Sequence, residues 1–207
     1  MKKNSELRAQ AYRALEGNWG MAAIVTFVFL LIESAAQWNG DIAYGSPRII
    51  SILLFPVMYG YSVTFLSLVR HEGLEFGHLF DGFKDYGRIL GTQLLAYVYT
   101  ILWTLLLIIP GIIKIYSYAM THFILKDDPQ LRYNGAIEKS MNMMNGNKMK
   151  LFLLDLSFIG WALLCLLTLG IGFLFLIPYV KASHAAFYED LKSEYNSESI
   201  IIEENIA

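Results

Sequence analysis

Six apolar stretches recur along the chain with charged residues between most of them, at 19–38, 49–69, 89–109, 112–125, 151–169 and 171–187. About 20 apolar residues rising 1.5 Å each match the roughly 30 Å hydrocarbon core of a bilayer, so most of these stretches have the length of a membrane span. A soluble fold is a poor alternative. With 56% hydrophobic residues, 16% charged and a mean hydropathy of +0.44 over 207 residues, too little polar surface remains to cover such a core. The pattern predicts an all-α polytopic membrane helix bundle, six transmembrane helices in three hairpins. Residues 1–188 form one membrane domain, and 189–207 a mobile, acidic cytoplasmic tail.

The interruptions define the hairpins. A single helix over 89–125 would be roughly 55 Å long, and Pro110-Gly111 stands where it must break. Pro56 predicts a kink in the second stretch, and Pro178 a break in the sixth. Residues 112–125 are short for a span and are either a full crossing or re-entrant. Leu169-Gly170-Ile171-Gly172 holds no charge and reads as a turn at or within the interface. Trp19 and Trp38 bracket the first stretch at headgroup depth.

Lysine and arginine set the orientation, because loops beside membrane spans collect them on the cytoplasmic side. With six crossings and both termini inside, only Arg48 falls outside, and Lys114 and Lys181 lie within spans. Every other Lys and Arg is then cytoplasmic, facing the inner leaflet of the cell membrane. A cleaved leader is disfavoured by Glu33 beside Ser34-Ala35-Ala36.

Each hairpin follows a polar, amphipathic stretch ending near a glycine. Leu7, Ala11, Ala14 and Leu15 share one face in the first, before Gly17-Asn18. Phe76, Leu79, Phe80 and Phe83 fall at i, i+3, i+4, i+7 in the second, before Gly87. Ile137, Met141 and Met144 align in the third, before Gly146-Asn147. These helices either lie on the cytoplasmic leaflet or pack on the bundle; the pattern is common to both.

Several spaced motifs resemble one family. They are Gly17-Asn18-Trp19-Gly20, Ile109-Pro110-Gly111-Ile112-Ile113-Lys114 with Tyr116-Ser117-Tyr118, and Gly146-Asn147-Lys148 leading to Phe158-Ile159-Gly160-Trp161. Pro178-Tyr179, Ala182 and Ala186-Phe187-Tyr188 extend the likeness, which runs from about Glu6 to Leu191. Together they resemble the bacterial integral membrane family known as domain of unknown function 975. The resemblance implies the multi-pass fold and transfers no catalytic residue.

Ionisable groups inside spans are the residues to examine for function, since each costs on the order of 2.5–3.5 kcal/mol at a helix centre unless paired or hydrated. Four fall there: Glu33, Lys114, Asp155 and Lys181. Depth counted along the helices predicts two pairs, Asp155 with Lys181 on the inner half and Glu33 with Lys114 on the outer half. His122, His184, Ser117 and Ser183 suggest a polar cluster near Asp155, acting as interhelical glue. His71, Glu75 and His78 have metal-ligand spacing, but Gly73 and Gly77 weaken the helix, and a solvated loop is the expectation.

No phosphate loop, nucleophile elbow or His-Glu-x-x-His zinc helix is present, and Cys165 is the sole cysteine. Neither catalysis, a metal nor a cofactor is predicted. The net charge of −2 disfavours nucleic acid. The expected partners are anionic lipid headgroups, another membrane protein or a second copy, which together describe a non-catalytic organising component. A small transporter or channel hinged at Pro56, Pro110-Gly111 and Pro178 is the alternative, and a lipid-modifying enzyme is third.

Overall fold

Gly17 and Gly146 adopt φ of +80° and +77°, the left-handed region that costs a residue with a Cβ about 1–2 kcal/mol. Each ends one helix and lets the next leave in a new direction, with Asn18 and Asn147 carbonyls accepting the first bonds of the helices beyond. A computed structural model describes residues 1–37 and 54–206, and these are helical with no strand among them. The elements are α1 (Asn4–Leu15), α2 (Trp19–Gln37), α3 (Phe55–Val69), a 3₁₀ segment (Phe76–Phe83), α4 (Tyr86–Leu106) and α5 (Ile108–Tyr118). They continue with α6 (Thr121–Asp127), α7 (Asn134–Met143), α8 (Lys148–Leu156), α9 (Ile159–Leu167) and α10 (Phe173–Ile206).

Three helical stretches are long and apolar enough to cross a membrane: Tyr86–Leu106, Ile108–Asp127 and Lys148–Leu167. A fourth arises if α1 and α2, bent by 96° at Gly17, count as one broken span. The expected second span is different in kind. Within the described residues it is α3, only 15 residues long and buried along nearly its whole length by the other helices. Hydropathy alone does not separate a helix sheltered by protein from one facing lipid. Residues 38–53, including Arg48, lie outside the described part.

The proline positions need correcting. The chain turns at Leu107, which is extended at φ −159° and ψ 138°, rather than at Pro110-Gly111. Pro110 is the third residue of α5, where a missing N–H costs no intrahelical bond. Gly111 faces the other arm so closely that a Cβ there would collide with Thr104. Pro56 likewise opens α3 rather than kinking it. Pro178 lies inside α10, which continues unbroken through it and on through residues 189–206 of the acidic tail. It deletes one helical bond, a defect that membrane helices tolerate. The turn after α9 is at Leu169-Gly170, both with positive φ.

The amphipathic stretches pack inward. Leu7, Ala11, Ala14 and Leu15 of α1 are buried, mainly against α10, and fully burying each leucine is worth about 1.5–3 kcal/mol. In α7 the buried face is Ala136, Ile137, Ser140 and Met143. The middle stretch is a 3₁₀ helix, in which residues three apart eclipse. Leu79 and Gly82 therefore turn together onto α3, where Cβ atoms on Gly60 and Gly82 would strike the carbonyls of Leu79 and Pro56. Phe80, Phe83 and Tyr86 form the opposite, outward row, with successive centroids 6.3 and 6.0 Å apart. Gly87 is not a terminator but lies in the first turn of α4.

Burial is two-ended. The buried residues come mainly from α1, the start of α2, α3, the 3₁₀ segment, the first turns of α4, the end of α5, α6, α7, α8 and residues 182–191 of α10. Beyond that core the two hairpins α4–α5 and α9–α10 extend with apolar side chains outward: Leu105 is 79% exposed, Leu167 80% and Leu169 95%.

Candidate functional site

Asp155 is the centre of the polar residues between α5, α8 and α10. Its Oδ1 lies 2.6 Å from His184 Nε2, and Tyr116 donates its hydroxyl to Oδ2 at 3.2 Å. Helical spacing explains the His184 contact: Lys181 and His184 are i and i+3 on α10, so both pass the level of Asp155. The imidazole makes the close pair, and Lys181 does not. Among the described residues no carboxylate comes within 4.0 Å of Lys181, although the charge of Asp155 acts on it.

Lys181 and Asp155 instead share a cavity of about 270 Å³ between α8–α9 and α10. Its walls are apolar, with Ile159 and Ala162 facing Leu176, Ile177 and Val180.

The outer pair is not formed. Lys114 Nζ sits 4.8 Å from the Trp103 ring centroid and 6.0 Å from that of Tyr118, a cation–π arrangement within the α4–α5 hairpin. Glu33, on α2, has no ion-pair partner within 4.0 Å among the described residues. The pair required α2 and α5 to pack side by side, and the two are not among the helices in substantial contact.

The polar cluster is distributed rather than convergent. His122 Nδ1 lies 3.2 Å from Ser62 Oγ on α3, with Tyr59 edge-on to the ring at 6.5 Å. Ser183 donates to the Tyr179 carbonyl one turn back, and Ser117 to that of Ile113. Ser140 of α7 donates across to the Ser117 carbonyl at 2.8 Å. Thr26 and Tyr61 join α2 to α3 through hydroxyls 2.9 Å apart. Each bond sews two elements together or satisfies a helix carbonyl. His78 stands 4.0 Å from Glu75, and no three metal-ligating side chains converge among the described residues.

A second network lies at the charged end, where the residue pattern suggested only loops. Arg70, just past α3, holds Asp127 through two bonds of 2.8 Å and Glu189 through bonds of 3.0 and 2.7 Å. Asp127 Oδ2 also accepts from Tyr188 at 2.7 Å and Lys192 at 2.6 Å. The Asp127 bonds, foremost among the causes, raise the Arg70 guanidinium above its already high pKa, so it is permanently charged. Arg88, which is buried, donates to the carbonyls of Leu125 and Leu131. Reading flanking charges one by one as loop residues hides this network; a signal was present in Arg70 and Asp127 both standing just past apolar stretches.

Tyr179 gathers the N- and C-terminal helices. Its ring lies 6.5 Å from Tyr12, 6.2 Å from Trp19 and 5.2 Å from Phe158, and its hydroxyl donates to the Arg8 carbonyl. Trp19, Tyr116, Phe158 and Tyr179 all belong to the spaced sequence motifs, so those motifs mark contacts among α2, α5, the α8–α9 junction and α10.

Comparison with known proteins agrees with the motifs. No curated protein and no solved structure matches the chain. A family model described as "Protein of unknown function (DUF975)" matches residues 1–121 and 105–195. With those two overlapping matches covering nearly its full length, the chain belongs to the DUF975 family.

Proposed function

We propose that this chain is a multi-pass protein of the bacterial cell membrane that acts without catalysis of its own, organising lipid or protein partners at the cytoplasmic leaflet. The observation that carries the reading is the two-ended burial. The charged halves of the helices close on one another, while the apolar hairpin ends at Leu107 and Leu169 face outward, an arrangement that water penalises and hydrocarbon accommodates. The inserted parts on this reading are α2, α3, the pair α4 and α5–α6, and α8–α9 with the start of α10, and α3 is the central one that the others surround. Six inserted segments with both termini cytoplasmic keep the buried charged core on the inner side.

The 96° bend at Gly17 supports an interfacial course for α1, since a helix perpendicular to a span runs along the leaflet. Phe80 and Phe83, outward on the 3₁₀ segment, and Tyr86, which opens α4, suit the headgroup boundary in the same way. The transporter alternative requires the four intramembrane charges to face one cavity. Only Asp155 and Lys181 do, and apolar walls surround them.

Alkaline carbonate washing of cell membranes tests the reading, together with a fluorescent-protein fusion at the C-terminus that matures only in the cytoplasm. Retention in the pellet with a fluorescent fusion is expected. Release into the wash overturns the membrane assignment, and a dark but expressed fusion overturns the topology.

A further inference from the structure

The cavity beside Lys181 has the chemistry of a lipid site. On α10 its wall is Phe173, Leu176, Ile177, Val180 and Lys181, spaced i, i+3, i+4, i+7, i+8, which is one continuous helix face. Opposite it run Asp155, Ile159 and Ala162, spaced i, i+4, i+7 on α8–α9. Two apolar stripes thus face each other across about 270 Å³ instead of interlocking. At an apolar interface, unfilled space of this size forfeits dispersion contacts on both walls, so a chain-like occupant gains them.

Charge selects the occupant's head. Asp155 is committed to His184 and Tyr116. Lys181 lines the same cavity with no carboxylate within 4.0 Å among the described residues. On the membrane reading this ammonium faces hydrocarbon without a close counter-ion, which is costly, and an external anion placed on it removes that cost. The groove is open rather than enclosed, and Ile159 in its wall is exposed like the apolar side chains of the hairpin beyond it, which gives a molecule already in the bilayer a way in.

We propose that this groove holds one anionic membrane phospholipid, its phosphate on Lys181 and one acyl chain between Ile159–Ala162 and Leu176–Ile177. The inference rests on the membrane reading above and deepens it by naming the lipid class that the protein holds. His184 is a positioning residue: it takes up Asp155, which would otherwise be the nearest anion for Lys181. Lys114 supplies a natural contrast, because its cation is already placed on Trp103.

Native mass spectrometry of the full chain in mild detergent tests this, with phosphatidylglycerol and phosphatidylcholine of identical chains added in equal amounts. The wild type is expected to retain one phosphatidylglycerol in preference to phosphatidylcholine by about tenfold, equivalent to about 1.4 kcal/mol. Lys181→Met should bring the preference to unity, while Lys181→Arg and Lys114→Met preserve it. Ala162→Phe, which fills the groove from the opposite wall, should remove the tight adduct for both lipids. Circular dichroism of each variant confirms that it is folded, and should Ala162→Phe fail to fold, Ile177→Phe fills the same groove from α10. No preference in the wild type, or an unchanged preference in folded Lys181→Met, overturns the site. A dimer that Ala162→Phe converts to monomer also overturns it, because a second copy is then the occupant. Carbonate extraction separates the two levels of inference. A chain that stays in the membrane but shows no preference loses only the lipid site, and a chain that washes out loses the membrane reading itself.

Discussion

Asp127 is the residue whose loss should be felt most. Its side chain is only 9% exposed and accepts two bonds from Arg70, one from Tyr188 and one from Lys192, joining the ends of α3 and α6 to α10. Asp127→Asn keeps the shape and removes the charge, leaving Arg70 and Lys192 facing a neutral amide. Breaking a buried ion pair from one side costs about 3–5 kcal/mol. Arg70 is 20% exposed and retains Glu189, which puts the expected loss at the lower end, about 3 kcal/mol. For a chain of this size 1 kcal/mol is about 2–4 °C in Tm, so the variant should melt about 6–12 °C lower. Tryptophan fluorescence followed through a thermal ramp in one fixed detergent reads that shift. A fall of less than about 1 °C would refute the reasoning, since it would class Asp127 with ordinary surface positions. The cycle with Arg70→Met sharpens the test: the double variant should lose about 1–2 kcal/mol less than the two singles together, and strict additivity would mean that the network carries no coupling.

The backbone and the surface give further expected outcomes. Gly17→Ala should destabilise by about 1 kcal/mol because φ is +80°, whereas Gly20→Ala, helical with open space around its Cβ, should stabilise by about 0.5–1 kcal/mol; equal shifts in the same melting assay would contradict the turn. Gly60→Ala forces a Cβ against the Leu79 carbonyl and should cost about 1–3 kcal/mol, while Gly77→Ala meets nothing; an unaltered Gly60→Ala melt would mean that α3 is not seated on the 3₁₀ segment. A polarity-sensitive dye on Phe83→Cys, in a Cys165→Ser background reconstituted into vesicles, should emit in the blue-shifted range of the headgroup boundary. Water-like emission would remove the aromatic row from the membrane interface.

How much of the fold is legible in the sequence depends on which physical quantity a residue pattern encodes. Hydropathy and length encode the capacity to span, and they find α4, α5–α6 and α8–α9 within a few residues. They do not encode which apolar helix is enclosed by the others, so α3 reads as another span although protein surrounds it. Proline encodes a missing donor and not a break; at the third position of α5 the missing donor costs nothing, and the turn falls at Leu107, where no punctuating residue stands. The phenylalanines at i, i+3, i+4, i+7 fit an α-stripe, yet the same segment also contains two rows of period three. Gly60 and Gly82 decide between them, by letting α3 close onto Leu79 and Pro56.

The charged positions of the candidate site meet the same limit. Rise per residue puts Asp155 and Lys181 at similar heights along their helices, and in the structure both line one cavity. It contains no information on rotation about the helix axis or on uncharged donors. His184, one turn beyond Lys181, and Tyr116, on another hairpin, therefore take the carboxylate that depth alone assigns to Lys181. The displaced lysine is then the consequential residue. Had Asp155 paired with it, the groove would end in a neutralised ion pair and attract only apolar chains. With Asp155 hydrogen-bonded by His184 and Tyr116 on its other side, the Lys181 ammonium has no carboxylate within 4.0 Å among the described residues, and a bilayer supplies an anion already attached to a chain. The unformed Asp155–Lys181 pair and the lipid preference are thus one effect, so Lys181→Met should abolish the preference without disturbing the Asp155–His184 contact.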